Sequence, residues 1–220
     1  EGILFLTAAQ MLAIKSAFSI SPTAFGHDGT IAWAYSIPDH QLDFLAEGET
    51  VTLASTVVVD DQNGGVTSTT VTVQIYGGTN DAPTITSEVS DVQGSISEQP
   101  DITGSATLND ACGTLAFRDV DLNDEHSVAH FPPSFEWSGG TLTALQIMAL
   151  TAASTFALAP HDSMGTGTGT IDWSYKVVDG ALDFLADGQT LTVTYDVLVA
   201  DAHNGTLVQP VTVTMTGAND

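Results

Sequence analysis

The feature that most constrains the fold is an internal repeat with a period of about 140 residues. The stretch "GTIAWAYSIPDHQLDFLAEGETVTL" from Gly29 matches "GTIDWSYKVVDGALDFLADGQTLTV" from Gly169, so that Trp33 corresponds to Trp173. A shorter match, "LTAAQ" with "LTALQ", precedes each of these stretches at a slightly different offset. Similarity at a fixed period indicates that one structural module occurs more than once.

The repeat divides the chain into two predicted domains. Residues 83–220 carry a whole repeat, whereas residues 1–82 carry only the back part of one, without a counterpart of roughly residues 83–141. Both copies end in a short acidic motif, "GGTNDAP" at Gly77 and "GAND" at the end of the sequence. Asn and Asp favour turns, and their side-chain oxygens can also bind metal ions, so this motif is either a hinge or a metal-binding junction.

Alternating apolar residues predict β-strands in both copies. In "TIDWSYKVV" the apolar residues Ile171, Trp173, Tyr175 and Val177 all fall on one face, the period-2 pattern of a half-buried strand. "AHNGT" between two further alternating runs predicts a hairpin. Many short strands separated by turns favour an all-β sandwich. Two stretches are exceptions, since "TLTALQIMALTAAS" and "LDFLADG" predict short helices or helical turns.

The charge balance limits the partners of the chain. The sequence has 27 acidic residues and three basic ones, Lys15, Arg118 and Lys176, which gives a formal charge of -24. Nucleic acid and anionic membranes would be repelled, and no apolar run approaches the ~20 residues of a membrane helix. Carboxylates without basic partners recruit cations, so metal ions are the expected partners. Cys112 is the only cysteine, which excludes a disulfide within the chain.

The segment "DVDLND" is the strongest candidate for metal chemistry. Asp119, Asp121 and Asp124, with Asn123 between them, supply the oxygens that Ca²⁺ prefers. An EF-hand is excluded, because Asp124 occupies its glycine position and His130 its final glutamate position. The remaining ligands of a calcium ion must therefore come from distant segments.

Several strings together resemble a known family. "FRDVDLNDEHS", "VVDGALDFLADGQTLTVTYDV", "VDDQNGG" and "TVTVQIYGGTNDAP" are similar to the VCBS repeat, a cadherin-like module of large exported bacterial proteins, many of them RTX-type adhesins. The resemblance covers residues 83–220 and the back part of a repeat in residues 1–82. It implies a seven-stranded Ig-like or cadherin-like β-sandwich, export from a Gram-negative cell, and calcium at the junctions between modules.

The resemblance also implies two sets of calcium ligands, one at each end of the complete repeat. Its first set, at the joint after the partial repeat, comprises Asp43, Glu47, Asn80, Asp81, Asp119, Asp121 and Asp201. Its second set, at the far end, comprises Glu98, Asp183, Asp187, Asn219 and Asp220. The alternative for these positions is that they mark solvated turns and a linker.

Other motifs favour structural roles. "GTGTGT" lacks the Lys and the helix of a phosphate loop. His126, His130, His161 and His203 lack paired zinc-ligand spacing and are expected at exposed or strand-end positions. The aromatic residues at matching positions of the two strands are expected in the core, the alternative being an exposed sugar-stacking surface. They are Trp33, Tyr35, Trp173 and Tyr175. No nucleophile motif is present, so an enzyme is not expected.

The sequence thus predicts a non-catalytic, calcium-stabilised spacer module of a secreted or cell-surface adhesin, whose partners are neighbouring repeats of the same polypeptide. The alternative is a module that binds a carbohydrate or a host protein. The partial repeat is expected to expose an apolar face. It would cover that face by self-association, by borrowing strands from another chain, or with the segment "LTAAQMLAIKSAF".

Overall fold

The computed structural model describes residues 6–22 and 29–219, and strands dominate it. The chain divides into two compact units. Unit 1 comprises Glu1–Asp81 with the short segment Val120–Asn123, and unit 2 comprises Ala82–Asp119 with Asp124–Asp220. Neither of the helices in the described ranges has the length and apolar character needed to cross a membrane.

Unit 1 contains one α-helix and two separate antiparallel strand pairs. Strand β1 pairs with β2, and β3 forms a hairpin with β4. The elements in chain order are α1 (Ala8–Ser16), β1 (Phe18–Pro22), β2 (Ile31–Tyr35), a 3-10 turn (Asp39–Gln41), β3 (Thr50–Asp60) and β4 (Val66–Tyr76).

Unit 2 is a two-sheet structure. Its elements in chain order are β5 (Thr84–Ile85), β6 (Gln93–Ser97), β7 (Leu108–Arg118), β8 (Ser127–His130), β9 (Ser134–Trp137), α2 (Ala144–Ala153), β10 (Ser154–His161), β11 (Thr168–Val178), a 3-10 turn (Asp179–Ala181), β12 (Thr190–Ala200) and β13 (Thr206–Thr216). One sheet has the strand order β10-β11-β7-β5, and the other has the order β6-β13-β12-β8, with β9 also paired to β12. All pairs are antiparallel except β13 with β6.

The alternating residues of unit 2 form one core, as the period-2 pattern predicted. Trp173 and Tyr175 on β11 are fully buried, and so are Val197 on β12 and Val213 on β13. Because β11 belongs to one sheet and β12 and β13 to the other, their inward side chains meet as in a sandwich. The all-β sandwich prediction is confirmed.

The strand count differs from the expected seven, because unit 2 has nine strands. Strands β8 and β9 pair with opposite ends of β12 and are separated by Phe131, Pro132 and Pro133. Proline has no N–H to donate to a ladder, so it interrupts what would otherwise be one edge strand. Strand β5 is only two residues long and adds the second extra strand.

The predicted helical stretches are only partly helical. Helix α2 begins with a capping box between Thr143 and Gln146, the same arrangement that Thr7 and Gln10 form before α1. "LDFLADG", by contrast, forms turns, and the single 3-10 turn lies just before it. Gly188 has a φ of 74°, in keeping with the predicted glycine stop.

The core of unit 1 is small and leaves its aromatic strand uncovered. Ile14 of α1 is buried with Phe44, Leu45 and Ile75. Trp33, however, is 51% exposed, so the prediction that it is a core residue is wrong. A strand face is buried only where a second layer covers it. Helix α1 does not supply that layer at Trp33, because none of its described residues lines the cavity beside the indole ring.

Candidate metal centre

Three buried carboxylates of unit 2 converge at one end of the sandwich. Asp119 directly follows β7, Asp124 lies in the loop before β8, and Asp201 follows β12. One oxygen from each of these side chains lies within 4.8 Å of the others, and all three residues are buried. The described residues contain no other such group of three acidic, histidine or cysteine side chains.

The β12–β13 hairpin fixes the position of Asp201. Its Oδ1 accepts hydrogen bonds from the backbone N–H groups of His203 at 2.8 Å and Gly205 at 2.7 Å. Asn204 between them adopts a φ of 78°, which Asn tolerates better than most residues. The "AHNGT" turn predicted from sequence therefore also holds the Asp201 carboxylate in place through its backbone N–H groups.

Two histidines contact the triad. His126 Nε2 lies 2.9 Å from Asp119 Oδ2, and its Nδ1 lies 2.8 Å from Asp162 Oδ1. His203 Nδ1 lies 3.0 Å from Asp124 Oδ1. His126 lies at a strand end, directly before β8, which is one of the two expected positions, but its side chain is only 1% exposed because its ring packs on Phe117 and bridges two carboxylates.

The pKa shifts at the triad reflect the burial and the close approach of its charged groups. Burial raises the pKa of the Asp124 carboxyl, the charges of Asp119 and Asp201 raise it further, and the contact with His203 opposes both. Burial alone would lower the pKa of His126, but hydrogen bonds to Asp119 and Asp162 outweigh it, and that pKa is raised. The ion pairs given for the described residues all involve a histidine, and two of them, from His126 and His203, reach the triad.

One oxygen of the triad is buried without compensation. Oδ2 of Asp124 has no hydrogen-bond partner among the described residues, although the residue is buried. A buried carboxylate oxygen is normally paired, because leaving water without a partner costs free energy. The triad therefore has the charge, the burial and the open coordination of a site that can hold a metal ion.

Asp121, another predicted ligand, is buried in unit 1. It lies in the segment 120–123, where its Oδ2 accepts the backbone N–H of Asp81 at 2.8 Å. In the same segment, the side-chain amide of Asn123 donates to Glu49. The aspartates of the "TND" and "DVD" motifs are thus brought together by a hydrogen bond from the backbone of one to the carboxylate of the other.

The other residues of the first predicted set lie in unit 1. Asp43 and Asp81 line one open cavity of about 370 Å³, together with Asp39. Asn80 is partly buried, and Glu47 is exposed and does not line this cavity. All four residues belong to unit 1, whereas the triad belongs to unit 2.

Two residues of the second predicted set accept hydrogen bonds from backbone groups. Glu98 is buried and accepts the N–H of Ala218 at 2.8 Å, and Asp183 accepts the N–H of Gly104 at 2.7 Å. Asp187 and Asn219 are exposed, and Asp220 lies outside the described residues. This set forms no group of three clustered ligands in the described part of the chain.

Asp179 is a buried acid that the sequence reasoning missed. Its Oδ1 accepts from the N–H of Gln99 at 3.0 Å and from the side-chain amide of Asn109 at 2.7 Å. The internal repeat could have indicated Asp179, because Asp39 occupies the matching position of the first copy. Asp162, which orients His126, had no such signal.

The solved structures to which this chain is similar share little sequence with it. No family model matches the chain, and no curated protein matches it either. Among solved structures, the chain is similar to cadherin-like domains 1 to 4 of zebrafish RET, with 13% identity and a TM-score of 0.38 over 96% of this chain. The chain spans 43% of that structure. It is also similar to a PapD-like domain of human CEP192, with 14% identity, a TM-score of 0.35, and coverage of 64% of this chain and 88% of the other.

Proposed function

We propose that this chain is a calcium-stabilised structural spacer, of the VCBS-repeat type, from a large exported bacterial adhesin. The observation that carries the proposal is the buried triad of Asp119, Asp124 and Asp201 with its unpaired oxygen on Asp124. No catalytic role is proposed for it. The partners are neighbouring repeats of the same polypeptide, and the location is outside the cell.

The spacing of the triad suits a hard cation. Calcium binds oxygens at about 2.3–2.6 Å, so two oxygens on one ion are at most about 5 Å apart. The three triad oxygens meet this condition. Calcium takes six to eight oxygen ligands, so backbone carbonyls and water would complete its shell. The contacts of His126 with Asp119 and of His203 with Asp124 would orient two of the carboxylates.

The proposed role is stabilisation through linkage. An ion that binds the folded triad and not the unfolded chain stabilises the fold by about 2.7 kcal/mol at a hundred-fold excess over Kd. Bound calcium would also oppose the effects of burial, and of the repulsion from Asp119 and Asp201, that raise the pKa of Asp124. A spacer of this kind would be looser in calcium-poor cytoplasm and would become rigid outside the cell.

Thermal melting of the full chain in calcium and in chelator tests this function. We expect calcium to raise the Tm by several degrees, since about 2–3 kcal/mol shifts a domain of this size by that much. Asp124→Asn removes one charge from the triad and should abolish most of the shift. Asp196→Asn, at an exposed acid on β12 that belongs to neither predicted set of ligands, is the matched control and should preserve it.

An equal Tm in calcium and chelator would remove the calcium proposal, as would an equal loss in both variants. The alternative function, a module that binds a carbohydrate or a host protein, is less well supported in unit 2. Trp173, the aromatic residue offered for sugar stacking there, is fully buried. A glycan array with the full chain separates the two functions.

A further inference from the structure

Unit 1 contains an apolar groove between its two strand pairs. The groove encloses about 300 Å³ and is lined by Ile20, Ile31 and Trp33 on one side and by Val57, Val59 and Val71 on the other. Ile31, Trp33 and Val59 are more than a third exposed. A large aromatic residue and several branched aliphatic residues around one open groove are a typical mark of an interaction site.

The internal repeat shows which strand lies beside the equivalent residues in unit 2. Ile31, Trp33 and Val59 correspond to Ile171, Trp173 and Val199, all of which are almost fully buried. Strand β7 pairs antiparallel with β11 in the same sheet there, with Gly113 opposite Trp173 and Leu115 opposite Ile171. The element that extends the sheet beside Trp173, and closes that side of the core, is therefore a strand.

The contacts of Trp173 determine which residue types the neighbouring strand β7 can carry. A Cβ on Gly113 would lie 2.8 Å from the indole ring, so only glycine lets the strand approach the ring so closely. A Cβ on Gly94 of β6 would lie 3.0 Å from the same ring. Two residues beyond Gly113, Leu115 adds a buried apolar side chain, and Phe117 adds another.

The strands of unit 1 also have open edges. Within the described residues β2 pairs only with β1, β3 only with β4, and β4 only with β3. Their counterparts β11, β12 and β13 each have further partners, which are β7, the β8–β9 pair and β6. Unpaired backbone N–H and C=O groups at an edge are a template for strand addition.

We infer that the groove of unit 1 accepts a β-strand from the front half of another repeat of this kind. The incoming strand pairs antiparallel with β2, places a glycine over Trp33, and inserts the next two alternate apolar side chains into the groove. Its pattern is the one that Gly113, Leu115 and Phe117 provide in unit 2.

A peptide with the sequence of Leu108–Arg118, carrying Cys112→Ser to prevent oxidation, is the probe for this site. We expect it to bind the full chain one-to-one by calorimetry and to shift the emission of Trp33 to shorter wavelength; the peptide itself contains no Trp. Trp33→Ala in the chain should weaken binding by about ten-fold or more, because a buried Trp at an interface is a typical hot spot. Val58→Thr, on the opposite face of β3, is the matched control and should leave binding unchanged.

Two control peptides test the specific pattern. Gly113→Val in the peptide places bulk against the indole ring, and Leu115→Asp removes the apolar contact, so neither should bind. The inference is overturned if all three peptides bind alike, or if binding survives Trp33→Ala, which would indicate exchange into unit 2. It is also overturned if the peptide with the Leu108–Arg118 pattern fails to bind. A dimer that light scattering then shows to be lost in Trp33→Ala would indicate that a different surface of a second copy covers the groove.

Discussion

The indole N–H of Trp173 donates a 2.6 Å hydrogen bond to the backbone carbonyl of Asp91. This bond joins the back half of the repeat to its front half. The ring itself is 1% exposed, whereas Trp33, 140 residues earlier, is 51% exposed and has no such partner among the described residues. The same residue type at the same strand position therefore makes different energetic contributions in the two units.

Truncating these two tryptophans should have unequal effects. Trp173→Ala creates a cavity and removes a buried hydrogen bond, so we expect it to lower the free energy of unfolding by about 3–5 kcal/mol. Trp33→Ala removes a half-exposed ring and should cost less than about 1 kcal/mol. Urea denaturation followed by far-UV circular dichroism measures both values, and similar costs would contradict the assignment of Trp33 to an open face.

Limited proteolysis should cut unit 1 before unit 2. The strands of unit 1 have open edges and a small core around Ile14 and Phe44, so local opening costs less there. We expect the first cleavages within residues 6–81, identified by mass spectrometry of early fragments. Initial cleavage within residues 105–200 would show that unit 2 is the weaker half.

The repeat offers a matched pair of aspartates for the calcium proposal. Asp61 and Asp201 occupy equivalent hairpin turns, and each accepts two backbone N–H groups through Oδ1. Substitution by Asn keeps an acceptor oxygen for the turn but removes the charge. We expect Asp201→Asn to remove most of the calcium-dependent rise in Tm and Asp61→Asn to leave it intact. Equal behaviour would mean that the turn, and not the triad, responds to calcium.

Alkaline pH should destabilise unit 2 through Tyr175. Burial raises the pKa of Tyr175 from 10.0 to about 12, so the fold favours the neutral phenol. Because the folded-state pKa is raised, this contribution is fully present below pH 10 and is lost as the pH rises through about 12. The shift corresponds to about 2–3 kcal/mol.

Tyr175→Phe keeps the ring and removes the ionisable hydroxyl. We expect the wild-type chain to lose more unfolding free energy than this variant between pH 10 and about 12, measured by urea denaturation at each pH. Phenolate absorbance gives a second readout, because Tyr175 should ionise only when the chain unfolds. Parallel curves for the two proteins would show that Tyr175 titrates freely.

Local patterns in the sequence predicted the strands well. The alternation from Ile171 to Val177 and the turn at Asn204 depend on neighbours within a few residues, and both were found. The burial of Trp33 was predicted wrongly, because burial depends on what covers a strand and not on the strand itself. A periodic pattern identifies the face that can be buried, but the covering layer must come from elsewhere in the fold.

The metal site was harder to predict, because its residues are distant along the chain. The sequence marked "DVDLND" as acidic but could not show that Asp124 turns towards Asp201 while Asp121 turns towards Asp81. The direction in which each aspartate side chain points depends on the backbone path of the short loop that contains them. The burial of His126 depends in addition on Asp162, which no motif connected to it.

The open edges of β2, β3 and β4 have a consequence for how the chain behaves in concentrated solution. Exposed strand edges beside apolar side chains drive molecules to stack edge to edge, and like charge on every molecule opposes this. The formal charge of -24 provides that repulsion at neutral pH and vanishes near the isoelectric point of about 4.1. Colloidal stability therefore depends on acidity and ionic strength, and precipitation in mild acid should begin at the uncovered sheet edges of unit 1.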